Sequence, residues 1–399
     1  MRRYRLILPL TAAALALAAA AATAALAGPS HKTAAVKTQA ISCKGNLKIG
    51  FVTPLTGGAG FLGNEQLSWA KYAVKTLAPK MGLKVTLVNG DTPVEQGPAP
   101  AQALAQKFIA DKSVVAVLGP STSGAVAAST KSYFQAGMAH VSPSATRTSL
   151  TKGTPLEGTP AFFRVVPGDY IQGPSDAKFM IDQLKVKKVV LLDFQEPYSL
   201  GLADAAQTVL TKGGVTVIRL SAPNTTTDYS SYVTRVPSDA EIVFFPTQKP
   251  GDAQTFARQL VEQGKKAKVF GGDGSNDSSQ FKTPGAYVSN FAPDITGIPA
   301  DAALIAGWKK DNPGKAVGSF GPPSYGAVQV ILTAIQNACR AGKGSLKDRR
   351  VLISAIKHVR ISNWILGGSF RFSTKSNDPL NAKFYIFQIQ PNGSYKLVG

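Results

Sequence analysis

The sequence predicts an α/β protein made of two parallel sheets, each covered by helices on both faces. From residue 47 onward, short apolar runs of strand length alternate with amphipathic segments of helix length. The alternation forms two successive series, and repeated strand–helix–strand units build parallel sheets. Apolar residues make up 44% of the 399 residues and charged residues 17%, so the chain can bury a core and lacks the composition of a disordered protein.

The first series starts at residues 47–52, and its helical segments repeat apolar residues at intervals of three and four. The run at 114–118 is apolar throughout, as expected of a strand buried on both faces. The predicted elements are, in order, a strand at 47–52, a helix at 67–77, a strand at 85–88, a helix at 101–109, a strand at 114–118, a helix at 125–134 and a strand at 139–142.

The second series follows the segment 162–167 and has the same character. After it, a long helix and a final strand return the chain to the body of the protein. The predicted strands are 189–192, 215–218, 242–245 and 269–270, with helices near 173–184, 199–212 and 252–263, then a helix near 323–341 and a strand at 384–389.

The N-terminus predicts an exported protein. Arg2, Arg3 and Arg5 precede an apolar run over 6–26, and a small-x-small cleavage site ends at Ala27, so residues 1–27 are interpreted as a signal peptide. The run is long enough to span a bilayer, which keeps an uncleaved anchor as an alternative. Residues 28–46 have no periodicity and are predicted to form a flexible tether.

The charge of the chain is strongly positive. Lys and Arg outnumber Asp and Glu by 44 to 23, which gives a formal net charge of +21. The basic residues are scattered without interleaved aromatic residues, and no nucleic-acid-binding motif is present. The sequence therefore indicates a solvated cationic surface facing an anionic cell envelope, and no nucleic-acid partner.

Two glycine-rich segments resemble a dinucleotide-binding motif and a calcium-binding loop, but the residues around them argue against both kinds of site. Gly58, Gly60 and Gly63 match the G-x-G-x-x-G spelling, but three residues separate them from the strand, so a flexible loop at the mouth of a cleft is predicted instead. A calcium loop starting at Asp273 would need Gly at its sixth position and Glu at its twelfth, but the chain has Ser278 and Pro284 there. No set of nucleophile, base and orienting group appears, so no catalytic residue, metal or cofactor is expected.

Polar groups gather where predicted strands end. Residues 119–124 link a buried strand to a helix, and their hydroxyls and free N–H groups form either an anion site or an ordinary N-cap. Residues 143–146 end the next strand in the same way, and Asp273 ends a strand of the second series. Asp273 could face a cation or merely cap a turn. Ligands of open α/β sheets bind at the carboxyl ends of strands, which favours a site here.

These segments together resemble the extracellular solute-binding proteins of branched-chain amino-acid ABC transporters, the leucine/isoleucine/valine-binding type. The resemblance covers nearly all of the chain from Leu47 to Gly399. It implies two lobes of the type I periplasmic binding protein (Venus-flytrap) fold, joined by a hinge of three crossovers. The matching segments are 49–57 with Gly63, 117–123, 141–146, Phe163-Arg164, Gln172-Gly173, Tyr198 with Gly201, and 271–274. The implied lobes are 47–166 with 294–372, and 167–293 with 373–399.

The resemblance also implies a binding site for the head group of an amino acid. Ser123 falls where the family binds the carboxylate. Ser144, Ala145 and Thr146 fall where backbone and hydroxyl groups hold carboxylate and ammonium. Asp273 falls where an acidic residue, usually glutamate, pairs the α-ammonium.

Four further positions concern the rest of the pocket. Tyr198 and Tyr325 match aromatic positions that close it. Leu62 and Gln248 replace aromatic residues that line its side-chain end, so the usual aliphatic ligand is not assured.

The resemblance implies an exported, periplasmic or extracellular monomer that binds a small solute, an amino acid of branched-chain or aliphatic type, for delivery to a membrane ABC permease. The alternative function is a secreted ligand-sensing receptor module for an amide or an aromatic acid. Neither function is enzymatic.

The two cysteines, Cys43 and Cys339, are predicted to form a disulfide. Export exposes them to an oxidising compartment, and the chain contains no other cysteine. Lipidation of Cys43 is the alternative, although Cys43 lies far beyond the apolar run of the signal peptide.

Overall fold

The computed structural model of the chain describes residues 40–153 and 156–399. The predicted signal peptide and residues 28–39 of the predicted tether lie outside these ranges. Within them, no helix combines the length and the apolar character that crossing a membrane requires. The last residues of the predicted tether are tied to the body rather than free, because residues 41–42 form a strand and Cys43 is bonded to Cys339.

The described residues contain sixteen strands arranged in four sheets. The strands are β1 Ile41–Ser42, β2 Asn46–Thr53, β3 Lys84–Asp91, β4 Val114–Leu118, β5 His140–Ser142, β6 Phe162–Arg164, β7 Lys188–Asp193, β8 Thr216–Ser221, β9 Ile242–Phe245, β10 Lys268–Gly271, β11 Tyr287–Asn290, β12 Ser345–Leu346, β13 Arg360–Ile361, β14 Phe370–Arg371, β15 Tyr385–Ile389 and β16 Tyr395–Leu397.

Ten α-helices cover these sheets in the described ranges. They are α1 Gly60–Leu77, α2 Ala99–Ala110, α3 Ser123–Gln135, α4 Asp169–Asp182, α5 Pro197–Lys212, α6 Ser230–Thr234, α7 Pro250–Glu262, α8 Ala302–Asp311, α9 Gly321–Ala341 and α10 Val351–Lys357. The first helix begins seven residues before the predicted one, so part of the predicted mouth loop is helical. Gly63 lies in that helix, and the position requires a glycine because a Cβ there would lie 1.7 Å from the carbonyl oxygen of Pro54.

The first lobe is built on a five-stranded sheet in the order β3-β2-β4-β5-β6, and all its strands are parallel. The chain lays β3 on one side of β2 and β4 on the other, which creates a switch point where ligands of such sheets bind. Helices α1 and α9 share an apolar core on one face, where Trp69 stacks on Trp308 at 4.6 Å between ring centroids.

The second lobe is built on a seven-stranded sheet in the order β8-β7-β9-β10-β11-β15-β16. The first five strands are parallel, whereas β15 and β16 add to the edge in antiparallel fashion. The chain passes between the two lobes three times, after β6, after β11 and after β14. The predicted fold class, two doubly wound α/β lobes, is confirmed, and the antiparallel edge is an addition to it.

Neither β11 nor β16 is among the predicted strands. β11 reads Tyr-Val-Ser-Asn and lacks an apolar run, yet all four residues are buried. Its polar residues are tolerated because they are hydrogen-bonded: Gln172 donates to Ser289 at 2.9 Å, and Asn290 donates to Ser319 at 3.0 Å.

The disulfide closes a loop of 296 residues between the amino end of the described chain and the end of α9. We expect the double variant Cys43→Ser with Cys339→Ser to lose about 2–4 kcal/mol of unfolding free energy, because its unfolded chain is less constrained. Urea unfolding of the oxidised protein and the variant measures this loss. Two free thiols in unreduced exported protein would contradict the pairing.

Candidate functional site

The two lobes face each other through the carboxyl ends of their parallel strands. Arg147, beyond β5, donates from Nη1 to the carbonyl oxygen of Pro197, beyond β7, at 3.0 Å. Asn224, beyond β8, donates to the carbonyl oxygen of Val94, beyond β3, at 3.2 Å. These contacts close a cleft whose walls are the strand ends of both lobes, which we call the interlobe cleft.

The amino end of α3 forms part of the first wall of the cleft. Thr122 is the N-cap, with its hydroxyl accepting from Ala125 N at 3.4 Å. The ordinary capping role thus falls to Thr122, and Ser123, the first helical residue, is fully buried beside it. The hydroxyl of Ser123 accepts from Arg147 N at 3.2 Å. The helix end also offers partial positive charge and unpaired N–H groups, which suit an anion.

A hydrogen-bond network centred on Gln66 fixes the floor of this wall. Gln66 Nε2 donates to the hydroxyl of Ser144 at 2.8 Å, and its Oε1 accepts from Ser121 at 2.6 Å and from Thr53 at 3.0 Å. Ser144 in turn donates to the carbonyl oxygen of Ser121 at 2.6 Å. The hydroxyl of Ser144 is therefore engaged in holding the wall together, and Gln66 was not among the predicted site residues.

Thr146 presents a free polar group to the cleft. It is fully buried, and its hydroxyl oxygen has no hydrogen-bond partner in ranges 40–153 and 156–399. Its carbonyl oxygen accepts from Asp169 N at 2.7 Å, which brings this strand end against the start of α4. Ala145 is also buried, and its carbonyl oxygen accepts from Arg164 Nη1 at 3.3 Å. Its side chain has no polar group to offer at the site.

Asp169 is the main residue that sequence reasoning missed. It is the first residue of α4 and is fully buried, yet both of its carboxylate oxygens lack a hydrogen-bond partner among the described residues. Burial, with the nearby charge of Asp273 in addition, raises its pKa to about 8, although the adjacent hydroxyl of Thr146 and the charge of Arg164 oppose the rise. A buried carboxylate left without partners is costly unless something binds it, so its position marks a ligand contact.

The second wall also holds Asp273, which the sequence did single out. Its Oδ1 accepts from the hydroxyl of Tyr198 at 2.8 Å, and the same hydroxyl accepts from Gly274 N at 3.0 Å. Gly272 must be a glycine because a Cβ there would lie 2.5 Å from that hydroxyl oxygen. Burial raises the pKa of Asp273 to about 6, although hydrogen bonds from Gln172 and Tyr198 oppose the rise.

A third carboxyl lies behind these two. Asp176 accepts from Ser289 at 2.9 Å, and burial raises its pKa well above the ordinary range, with the charges of Asp273 and Asp169 adding to the effect. The second wall therefore gathers three buried carboxyl groups, whose raised pKa values show that their negative charge is costly until a cation is bound. Such a set suits a cation with several N–H donors, opposite a first wall that suits an anion.

Gln248 is brought next to Asp273, although Tyr325 is not. A Cβ on Gly274 would lie 3.1 Å from Cγ of Gln248, so Gln248 packs on the loop that carries Asp273. Tyr325 packs in the first-lobe core against Trp69 and Tyr72, at centroid distances of 6.2 and 6.3 Å, so its predicted place in the pocket stays a prediction.

Leu62 lies on α1 one turn before Gln66. It is buried in the apolar cluster of the first lobe, so its predicted place at the side-chain end of the pocket stays a prediction. Gly58, earlier in the same segment, reaches the second lobe at the mouth of the cleft, where a Cβ would lie 2.7 Å from Cγ of Lys249.

Solved structures share this architecture. The substrate-binding protein LivJ of a branched-chain amino-acid transporter from Streptococcus pneumoniae, in complex with isoleucine, matches 89% of this chain and 99% of its own with a TM-score of 0.75 and 21% identity. A solute-binding protein of an ABC transporter from R. palustris, in complex with benzoate, matches 89% of this chain and 96% of its own with a TM-score of 0.76 and 18% identity. At these identities the likeness establishes the fold.

Sequence comparison goes further. The Leu/Ile/Val-binding protein BraC3 of Rhizobium johnstonii is 30% identical over 322 residues, which cover 78% of this chain and 83% of that protein. A family model described as periplasmic binding protein matches residues 46–394, and this span includes both lobes and every residue of the interlobe cleft named above. The chain belongs to the periplasmic binding protein family.

Proposed function

We propose that this protein binds a free amino acid in the interlobe cleft and delivers it to the permease of an ABC importer. The observation that carries the proposal is the carboxylate of Asp169, which is fully buried and has no hydrogen-bond partner on either oxygen among the described residues. With Asp273 beside it, this carboxylate supplies the charge and the acceptors that an α-ammonium group needs.

The opposite wall supplies the partner of the α-carboxylate. The start of α3 offers N–H groups and the hydroxyl of Ser123, and the buried hydroxyl of Thr146 lies beside Asp169, where either end of a zwitterion can reach it. A zwitterion has its two charges a few ångströms apart, so each charge meets a different lobe. Ligand binding then favours the closed form over the open one, which gives the differential affinity that a lobe-closing switch requires.

The class of ligand follows from the head group and the relatives. The Rhizobium johnstonii relative is named for leucine, isoleucine and valine, which supports a branched-chain or aliphatic amino acid here. An aromatic acid such as benzoate lacks an amine and would leave Asp169 and Asp273 buried without a cation, which disfavours it. We infer that the protein acts outside the cytoplasm as a monomer and carries out no chemistry on its ligand.

A thermal-shift screen tests this function. We expect an aliphatic L-amino acid to raise the midpoint of unfolding most among amino acids, short amides and aromatic acids, because a ligand that binds only the folded state stabilises it. Stabilisation by aromatic acids and by no amino acid would contradict the proposal and favour the sensing module for aromatic acids.

Gln248 is expected to set preference among ligands rather than overall affinity. It packs beside Gly274, on the loop that carries Asp273, and we expect it to contact the ligand's side chain. Gln248→Ala should change the relative affinities of different amino acids by about 1–3 kcal/mol, as expected when one polar partner is lost. Calorimetric titration with leucine, valine and an amide side chain measures the ranking. An equal loss for every ligand would show that Gln248 contacts the common head group.

A further inference from the structure

We propose that the end of the first lobe farthest from the interlobe cleft is a docking surface for anionic lipid bilayers. The surface consists of the exposed ammonium groups of Lys44, Lys80, Lys84, Lys112, Lys343 and Lys347, and we call it the cationic pole. It lies at the amino ends of the strands whose carboxyl ends build the cleft, so a bilayer bound there leaves the cleft mouth open.

Parallel strand pairing assembles the first half of the pole. Asn46 at the start of β2 pairs with Lys84 at the start of β3, so the amino ends of these strands share one edge. Lys44 and Lys112 stand two residues before β2 and β4, and Lys80 lies in the turn that precedes β3. Four ammonium groups thus come from segments that are distant in sequence and adjacent in the fold.

The strand pair β1–β12, next to the disulfide, supplies the other two lysines of the pole. β1 pairs with β12, and Cys43 N donates to the carbonyl oxygen of Gly344 at 3.0 Å. Lys343 and Lys347 flank β12 and therefore lie beside Lys44. The pole is thereby held as one rigid surface by a sheet edge, a strand pair and a covalent bond.

No close ion pair neutralises the six ammonium groups of the pole within the described residues. Of the carboxylates next to these lysines in sequence, Asp111 pairs with Lys48 at 2.9 Å, whereas Asp348 accepts from the backbone N of Arg350 at 2.7 Å and keeps its charge beside Lys347. Six like charges on one small surface repel one another, and an anionic partner relieves that repulsion.

The corresponding end of the second lobe is also basic, but two of its lysines have partners within the protein. Lys188 pairs with Asp239, and Glu241 accepts from the backbone of Lys187 and Lys188. Lys265 turns its ammonium group onto the carbonyl oxygen of Val236 at 2.6 Å. Its other lysines, among them Lys187, Lys212, Lys266 and Lys268, are exposed and form no ion pair in the described parts of the chain, so they provide a charge-matched control.

The position of the pole favours a bilayer over a soluble polyanion. The described chain enters the body at Ala40, immediately before β1 and within the pole. Upstream in the sequence lies the apolar run 6–26. If residues 1–27 direct export, as the sequence predicts, the chain leads from the membrane into the body at the pole, where a polybasic patch binds anionic headgroups.

Vesicle sedimentation of the full chain, recovered after export, tests the proposal. Vesicles of phosphatidylglycerol with phosphatidylcholine are compared with pure phosphatidylcholine at about 0.1 M salt, where charges are screened beyond about 10 Å. The pole variant changes Lys44, Lys84, Lys112 and Lys347 to Gln. The control variant changes Lys187, Lys212, Lys266 and Lys268 to Gln and so removes the same charge from the other lobe.

We expect wild type to bind the anionic vesicles and not the neutral ones, and the pole variant to lose affinity by at least about thirty-fold. The control variant should lose less than about three-fold, and both variants should keep a wild-type unfolding midpoint. Equal losses in both variants would show that only net charge acts and would overturn the proposal. Equal binding to neutral vesicles, or binding to soluble polyphosphate but to no vesicle, would overturn it as well.

Discussion

Replacing Asp273 with alanine is expected to weaken the binding of an amino acid by roughly thirty-fold to several thousand-fold. The carboxylate lies in a wall that closure buries, and Tyr198 holds it in place through a hydrogen bond of 2.8 Å. Its removal leaves the ligand's ammonium group buried with one charged partner fewer, and such a truncation costs about 2–5 kcal/mol. Asp169 remains in the variant, so binding is weakened rather than abolished.

Calorimetric titration of wild type and Asp273→Ala with the tightest amino acid measures this loss. Asp239→Ala is the matched control, because Asp239 is an exposed carboxylate in the same lobe and pairs only with Lys188 at the surface. The control should bind as wild type does. An affinity change below about three-fold in Asp273→Ala would show that the ammonium contact lies elsewhere.

Replacing Asp378 with alanine is expected to lower the free energy of unfolding by about 3–5 kcal/mol, because it leaves a buried guanidinium uncompensated. Arg164 is fully buried and donates from Nε to Asp378 Oδ1 at 2.7 Å. It also donates to the carbonyl oxygens of Ala145 and Arg147 and to the hydroxyl of Thr151. The pair therefore joins the last crossing between the lobes to the loop that carries the hydroxyl of Thr146.

The same pair gives a pH dependence with a defined sign. Burial by itself would raise the pKa of Asp378, but the charge of Arg164 and several hydrogen bonds outweigh burial and hold that pKa below its ordinary value. A carboxyl with a lowered folded pKa stabilises the protein above its unfolded pKa, and the contribution is lost as pH falls through the folded value. Asp378→Ala should therefore lose its disadvantage relative to wild type in acid.

Urea unfolding at neutral pH measures the loss in Asp378→Ala. Asp311→Ala is the comparison, because Asp311 forms an exposed ion pair with Lys75 at 2.6 Å. Exposed pairs contribute about 0–1 kcal/mol, so this variant should stay close to wild type. A loss below about 1 kcal/mol in Asp378→Ala with an unchanged denaturant slope would contradict the structural role of the pair.

The sequence predicted the architecture well because the two lobes rest on local patterns. Apolar runs such as 114–118 form buried parallel strands, and their alternation with amphipathic segments indicates strand–helix–strand units in both lobes. The antiparallel edge escaped prediction because β16 is short and exposed and carries no apolar pattern. The packing of Tyr325 on Trp69 and Tyr72 escaped it for another reason: a helix with apolar residues on much of its surface does not reveal which neighbours each of them contacts.

The site was predicted where it depends on strand ends and missed where it depends on tertiary contacts. Ser123 and Thr146 lie in the loops after neighbouring strands of the first-lobe sheet, so their proximity follows from the order of that sheet. Asp273 follows a strand of the second sheet and meets them because the strand ends of the two lobes face each other. Asp169 stands at the start of a helix, where an acidic residue is ordinary, and only its burial beside Asp273 sets it apart. Gln66 was missed for the same reason: its role depends on hydrogen bonds to Ser121 and Ser144, in loops that lie far along the chain.

The amine of the ligand is the feature on which the proposed function depends most directly. The measurement is a calorimetric comparison, on wild-type protein, of the tightest amino acid with its analogue that lacks only the α-amine. The buried carboxylates of Asp169 and Asp273 predict that the analogue binds more than about thirty-fold more weakly, because it leaves them without a cation. Equal affinity for the two ligands, or tighter binding of benzoate than of any amino acid, would contradict the assignment of this cleft to amino acids.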